Sequence, residues 1–597
     1  MNKSLLFELF HVIGHYKKRL LLACVLVLAS NTLLILNPLL IKQAMIAMDP
    51  SSGKPGGLLY TITRSLLGSY AQYLLPWTTL LLLTASVSAY FKYKMRTSFI
   101  TVSRDVESEL QLRIFQKISR QSMVFFDKYG IGELVSRLTN DLSAYREVLG
   151  PGIMYPLYFL TLVSPAFIAL FYLSPLLASF SLLPLLILPL LMFSVEGRAY
   201  NVSLKVQQAL AEMSALTHES YNGIRIIKGY AVEEQMTQKF SKACKVFLRL
   251  NLHLTLLQGL LYPLLTLITK CMTLSLVLLA AYLNLLGYQQ LETADFISFM
   301  LIQSYLYIPV LMLGWVLPIY EKGRAAYERL WQIYQEPIEI VEAENPLQNL
   351  SEPAAIEIKH LSFTYKGRDA PALLNFSCRI PAKRLIGITG PVGSGKTTLI
   401  KLLNRDYEVP QGTVFFNGED LHNYSVDAIR KAMATVEQQP FLFSRSIAEN
   451  IALGVINPPS ELVEEAAEFA DLHSTIVAFP MQYETVVGEK GITLSGGQRQ
   501  RTAIARALFS QRPILLLDDI FSSLDAETEK KVFSALNNNR TKTIILITHR
   551  TSILQQLDYV YYLKEGGILE EGTPQELLAM KGAYSALVSI QEAENNK

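Results

Sequence analysis

Residues 385–403 read LIGITGPVGSGKTTLIKLL, and three kinds of local structure meet in them. Leu385-Ile386-Gly387-Ile388-Thr389 is a short apolar run of the sort a buried parallel strand uses. Thr398-Leu399-Ile400-Lys401-Leu402-Leu403 reads as the start of a helix. Between them stands Gly390-Pro391-Val392-Gly393-Ser394-Gly395-Lys396-Thr397, a Walker A pattern in the strand–loop–helix setting that its mechanism requires. The glycines let backbone N–H groups approach and wrap phosphates, and the helix N-terminus adds a favourable dipole. Lys396 is expected to reach the β- and γ-phosphates, and the Thr397 hydroxyl to bind Mg2+. Gly390, Gly393, Ser394, Gly395, Lys396, Thr397 and Thr398 are therefore the first candidate nucleotide-binding residues.

Two further apolar runs lie downstream. Ile514-Leu515-Leu516-Leu517 ends in Asp518, a carboxylate of the kind that holds the Mg2+ shell in phosphate-loop ATPases. Thr543-Ile544-Ile545-Leu546-Ile547 ends at Thr548-His549. Both deliver polar groups at a strand's carboxyl end, where open α/β sheets place ligands. An isolated histidine is more often a satisfied core residue, but its place at such a strand end makes His549 a catalytic candidate.

Toward the N-terminus the composition changes. Residues 336–352 (EPIEIVEAENPLQNLSE) are acidic, contain prolines and lack a sustained pattern, which predicts a linker. The expected domains are 1–335, the linker 336–352, and 353–597. Half of all residues are hydrophobic and only 18% are charged, against roughly 25% charged in an average soluble protein. The apolar excess gathers in the first domain, near residues 20–40, 74–90, 148–195, 252–285 and 296–317. Crossing about 30 Å of hydrocarbon takes roughly 20 apolar helical residues. Residues 148–195 contain no Asp, Glu, Lys or Arg and suffice for two crossings, with Ser174-Pro175 as the turn. Six spans result. Buried helices of a large soluble core would need charged faces that these segments lack. The expected fold class is an all-α six-span transmembrane domain fused to an α/β P-loop nucleotide-binding domain.

Lys17, Lys18 and Arg19 precede the first span, and residues 92–146 and 198–249 form long connections rich in Lys and Arg. Basic residues stay on the cytoplasmic side, so both termini and both long connections are expected there. Their helical periodicity predicts that spans two to five continue into the cytoplasm as helices joined by short turns. The first residues carry no cleavable-signal pattern, so the first span is expected to stay as an anchor. Leu5, Leu6, Leu9, Phe10 and Ile13 fit an apolar stripe lying along the inner surface, or a plain exposed leader. The formal net charge of +3 does not fit a nucleic-acid binder, and the four cysteines form no paired motif for a disulfide framework or zinc.

Leu494-Ser495-Gly496-Gly497-Gln498, followed by Arg499-Gln500-Arg501, resembles the signature of ATP-binding-cassette proteins. The resemblance extends over nearly the whole chain. Tyr365 in Phe363-Thr364-Tyr365 matches the aromatic that stacks on adenine. Gln438 in Val436-Glu437-Gln438-Gln439 matches the glutamine that links Mg2+ to the membrane domain. Ser523-Leu524-Asp525 matches the loop that crosses the dimer interface. Thr485-Val486-Val487-Gly488-Glu489-Lys490-Gly491 resembles a loop that exporters place against the cytoplasmic turns. Phe125-Phe126-Asp127 with residues 132–141, and Gly223-Ile224-Arg225-Ile226-Ile227-Lys228-Gly229-Tyr230, are similar to the two long cytoplasmic segments of exporters. The resemblance implies ATP and Mg2+ as cofactors and a second half-transporter as partner. Two cassettes would close head-to-tail, each ATP held by one Walker A and the other chain's Ser495, Gly496, Gly497 and Gln498. Size and compactness suggest a multi-pass protein of a bacterial inner (plasma) membrane with its cassette in the cytoplasm, an organelle membrane being the alternative.

One position departs from the family. After Asp518 the family has a glutamate as general base, and here stands Asp519. Aspartate is one methylene shorter, and a misplacement of about 1 Å can cost on the order of a hundredfold in rate. The implied reading is the degenerate-site subunit of a heterodimeric bacterial multidrug or lipid exporter. A slowly hydrolysing homodimer, and an ATP-gated channel or regulatory membrane subunit, are the alternatives. An ionisable residue inside a span is a functional candidate. Lys270, with Gln258, Gln303, Ser304, Tyr305 and Tyr307, would suit a small amphiphile with an anionic or hydrogen-bonding head, or Lys270 is paired within the bundle or exposed to cavity water.

Overall fold

The computed structural model describes residues 3–49, 58–287, 292–350, 352–488, 491, 493–538 and 540–595. The chain forms two compact units, one of Met1–Ile118 with Gly132–Glu336, the other of Ser119–Ile131 with Pro337–Lys597. A short segment from the first half of the sequence thus belongs to the second unit.

The first unit is helical. Its long helices are Lys3–Met48, Leu74–Ser119, Pro151–Leu173, Pro175–Asn222, Glu233–Leu285 and Thr293–Gln335. Among the described residues five stretches are long and apolar enough to cross a membrane. The remaining expected span, the fourth, begins the Pro175–Asn222 helix, and the side chains of residues 182–193 lie outside those described. The expected turn is present: Ser174 is extended, its hydroxyl accepts from the N–H of Leu177, and Pro175 starts the next helix. That position suits proline because the first N–H of a helix has no partner within it. Pro309 and Pro318 lie inside one continuous helix. The helix that begins at Lys3 runs unbroken to Met48, so no separate leader helix forms, and the side chains of Leu5, Leu6, Leu9, Phe10 and Ile13 lie outside those described.

Polar side chains inside this unit pair with one another, as a hydrocarbon solvent demands. Ser30 and Ser88 each donate to the other's carbonyl at 2.9 Å. Thr84 donates to Asn37 at 2.8 Å, Asn31 to Thr161 at 2.8 Å, and Ser298 to the Pro38 carbonyl at 2.9 Å. Lys42 pairs with Asp295, both largely buried.

The second unit holds two sheets. β1 (Ile356–Phe363), β2 (Leu373–Ile380), β4 (Val414–Phe416) and β5 (Glu419–Asp420) form an antiparallel sheet in the order β2-β1-β4-β5. The larger sheet has the order β10-β9-β3-β8-β7-β6, with β3 (Leu385–Thr389), β6 (Met433–Val436), β7 (Ile514–Asp518), β8 (Thr543–Ile547), β9 (Tyr559–Lys564) and β10 (Gly567–Gly572). Every residue of β3, β7 and β8 is buried, which is why these strands read as continuous apolar runs rather than alternating ones. Register then fixes the site: Ile388 and Asp518 both lie opposite Ile547. Gly390, Asp519 and Thr548-His549 consequently leave the sheet side by side.

Candidate nucleotide site

The loop after β3 is shaped by glycine. Gly390 and Gly395 have φ of +139° and +100°, and a Cβ at Gly395 would stand 2.5 Å from the Ala372 carbonyl oxygen. Only glycine suits such positions. The loop ends on the helix Lys396–Leu403, whose first N–H groups are free to meet an anion. Lys396 is largely buried, and its ammonium donates to the carbonyls of Gly390 and Pro391 at 2.8 Å and to Ser394 Oγ at 3.4 Å. Burial lowers its pKa, with Asp518 and Asp519 opposing.

Asp518 is buried, and burial pushes its carboxyl up while a hydrogen bond with Thr397 and the charge of Lys396 hold it down. Asp519 has the left-handed φ of +48°, its N–H donates to Ile547 O at 2.9 Å, and its Oδ2 accepts from Gln438 Nε2 at 3.3 Å. Left-handed backbone is uncommon outside glycine, though aspartate tolerates it. His549 is half-buried; burial and then Lys396 hold its imidazole below the ordinary range, with Asp519 and Asp518 opposing. Lys396, Thr397, Gln438, Asp518, Asp519 and His549 are thus brought into one electrostatic cluster.

Tyr365 stands beside this cluster. Its hydroxyl is 3.1 Å from Thr398 Oγ1, and its ring meets Phe363 and Tyr407 edge-on at 5.0 and 5.3 Å. The Arg368 guanidinium lies 5.8 Å over the same ring.

Ser495, Gly496, Gly497 and Gln498 stand elsewhere, at the start of the Gly496–Phe509 helix. Ser495 Oγ accepts from Gln498 N at 3.2 Å, and Gln498 Oε1 accepts from Ser495 N at 2.9 Å, a reciprocal cap. The residues facing Gly496 and Gly497 are Ser523 and Leu524. The signature and the loop after Asp519 are therefore neighbours within one chain, and no hydrogen bond joins the described signature residues to the Walker loop. Glu489 and Lys490 lie outside the described residues.

Sequence reasoning missed Tyr407, whose hydroxyl donates to Asp127 at 2.7 Å within the second unit. It also missed Arg405, fully buried, which donates to the carbonyls of Tyr424 and Val341 at 3.1 Å each. Both lie just past the Walker helix, a position that could have drawn attention to them. In the first unit Lys270 and Ser304 are exposed, Tyr305 and Tyr307 half-buried, and Gln303 buried. Gln258 lines an open cleft of about 590 Å3 with Arg146, Tyr155 and Trp315.

Comparison with known proteins gives this geometry a family. Residues 20–310 match the ABC transporter transmembrane region, and residues 373–522 match the ABC transporter domain. The chain is 30% identical to the multidrug resistance-like ATP-binding protein MdlA of Buchnera aphidicola, over 87% of this chain and 90% of the relative. It is 32% identical to the ATP-dependent lipid A-core flippase of Syntrophus aciditrophicus, over 83% of this chain and 82% of the relative. A bacterial Atm1-family ABC exporter solved with ATP bound has the same fold, with a TM-score of 0.75 at 24% identity over 96% of this chain and 99% of that one. With a helical membrane region and an α/β nucleotide-binding domain on one polypeptide, the chain belongs to the ABC transporters, as an ATP-driven half-transporter of the exporter type.

Proposed function

We propose that the chain exports a small amphiphile across a bacterial inner membrane, its cassette in the cytoplasm, as the subunit of a heterodimer whose own Walker site hydrolyses ATP slowly. The observation that carries this reading is Asp519. It occupies the place of the general base in a left-handed turn, and its carboxylate lies 3.3 Å from Gln438. A carboxylate one methylene short leaves the attacking water displaced, on the scale at which rate falls about a hundredfold.

The residues present fit Mg2+ and ATP. Lys396 satisfies its desolvated ammonium on loop carbonyls, where phosphate oxygens can replace them. Thr397 and Asp518 already face each other across a hydrogen bond, a hydroxyl and a carboxylate suited to the two sides of a hard cation. Among the described residues no three His, Cys, Asp or Glu side chains gather to hold a metal alone, so such an ion would lean on phosphate oxygens and water. Mg2+, when bound, neutralises charge on those oxygens. Gln438 would orient Mg2+ and water, Asp519 would take the water's proton, His549 would hold the γ-phosphate end, and Tyr365 would stack on adenine. Ser495, Gly496, Gly497 and Gln498 would serve the partner's ATP, the partner being a second half-transporter.

The relatives' names speak of multidrug resistance and of lipid A-core, which supports amphiphilic cargo. The test is the ATPase rate of this chain alone in lipid beside Asp519→Glu. A nearly silent wild type and a mutant about tenfold or more faster fit the degenerate site. Brisk hydrolysis by the wild type, or no gain in a folded mutant, refutes it and leaves the homodimer.

A further inference from the structure

The turn that carries His549 is gripped from two sides by side chains that lie outside the nucleotide site. Gln591 belongs to the helix Ala583–Asn595. Its Nε2 donates to the His549 carbonyl at 2.7 Å, and its Oε1 accepts from the Thr551 N–H at 3.0 Å. One amide therefore satisfies the backbone on both sides of Arg550, a task that water performs in most exposed turns. The helix is itself fixed, because Tyr584 and Val588 are buried in the cassette core.

Arg550 reaches the opposite way. Its guanidinium donates to the carbonyls of Phe521 and Leu524 at 3.0 and 3.3 Å and pairs with the buried Glu529 at 2.7 Å. Ser523, between those carbonyls, faces the signature glycines. Residues 549–551 thus connect the C-terminal helix to the loop after Asp519.

We propose that the C-terminal helix is a positioning element for the catalytic turn, with Gln591 as the residue that fixes the backbone of His549 so that its imidazole faces Asp519 and Lys396. This rests on the reading of His549 as part of the catalytic cluster. Gln591 touches no reacting atom and acts through His549 alone. Arg550, next in the chain, ties the same turn to the loop after Asp519.

The test uses the full chain in lipid with Asp519→Glu throughout, wild type below meaning Gln591 and His549 intact, because the native site turns over too slowly for a tenfold fall in kcat to be read. Gln591→Leu keeps the shape and removes both hydrogen bonds, whereas Gln591→Glu keeps the acceptor for Thr551 and removes the donor to His549. The chain has eight histidines, few enough for ring-labelled histidine resonances to be resolved, with His549 assigned through His549→Gln. Gln591→Leu is expected to shift or split the His549 resonance and to lower kcat about tenfold, while KM for ATP stays within about twofold. Gln591→Glu is expected to fall between Gln591→Leu and wild type. The proposal is overturned if the resonance and kcat stay as in wild type, or if only the thermal midpoint falls, which would make Gln591 a simple staple. If His549→Gln keeps wild-type kcat, the catalytic reading of His549 fails instead, and the resonance alone decides whether Gln591 positions that residue.

Discussion

Removing one oxygen from Tyr407 should loosen a defined segment of the chain by a calculable amount. Tyr407 is buried, its ring packed edge-on against Phe363 and Tyr365 at 5.6 and 5.3 Å, and only its hydroxyl reaches Asp127. Tyr407→Phe keeps the ring contacts and deletes a hydrogen bond to a charged group, worth about 1.5–3 kcal/mol. Asp127 is exposed to water on its outer side, which favours the lower end, about 1.5 kcal/mol. The other ties of Ser119–Ile131 to the cassette remain: Met123 N to Asp406 O at 3.0 Å and Ser122 Oγ to Glu339 at 3.1 Å. Local opening of this segment should then become about tenfold more frequent. Hydrogen exchange of the full chain reads this directly, as about tenfold faster exchange in peptides covering residues 119–131 and none elsewhere in the cassette. Burial first, and then Asp127, push the Tyr407 hydroxyl up, so it remains a donor and the effect should not change between pH 6 and 9. Asp127→Ala should give a similar effect, and the double variant little more than either single one. Exchange within about twofold of wild type in a folded Tyr407→Phe protein would refute the reasoning.

Two further outcomes are open to measurement. His549 is held below its ordinary pKa by burial and Lys396, so the unfolded chain takes up its proton first as the solution is acidified; stability carried by neutral His549 is full above about pH 6.5 and is lost as pH falls toward the depressed value. The thermal midpoint of wild type should therefore fall more steeply with acidification than that of His549→Gln, and parallel slopes would rule this out. In the membrane unit, Lys42→Met strands the largely buried Asp295 carboxylate and should cost about 3 kcal/mol, while Lys42→Met with Asp295→Leu should recover most of it. Thermal unfolding in lipid separates the two, and a double variant no more stable than the single one counts against the pair.

The strands that build the site were legible because burial on both faces leaves a simple mark: β3, β7 and β8 are apolar without interruption, and the polar residues that matter follow each run at once. Side-chain facing in the membrane unit was not legible. Gln303 is buried and Lys270 exposed, a difference the sequence does not show because a helix apolar all round gives no phase to its few polar residues. Arg405 was overlooked for a related reason. A charged residue is expected outside, and the carbonyls of Tyr424 and Val341, together with the Glu408 carboxylate at 3.8 Å, make its burial tolerable. Asp519 was legible as a chemical departure, but its left-handed turn was not, since that depends on pairing with Ile547.

The placement of Ser119–Ile131 has a consequence for how such genes can be recombined. A cassette excised at residue 337 omits a piece of its own body. It would expose the Tyr407 hydroxyl and the apolar patch that Val124 covers. Grafting a relative's cassette onto this membrane half at the linker would join a foreign Tyr407 surface to the native Asp127 segment. Viable chimaeras should therefore carry two exchanged blocks rather than one, and inheritance across this boundary should be tied between stretches more than 200 residues apart in the sequence.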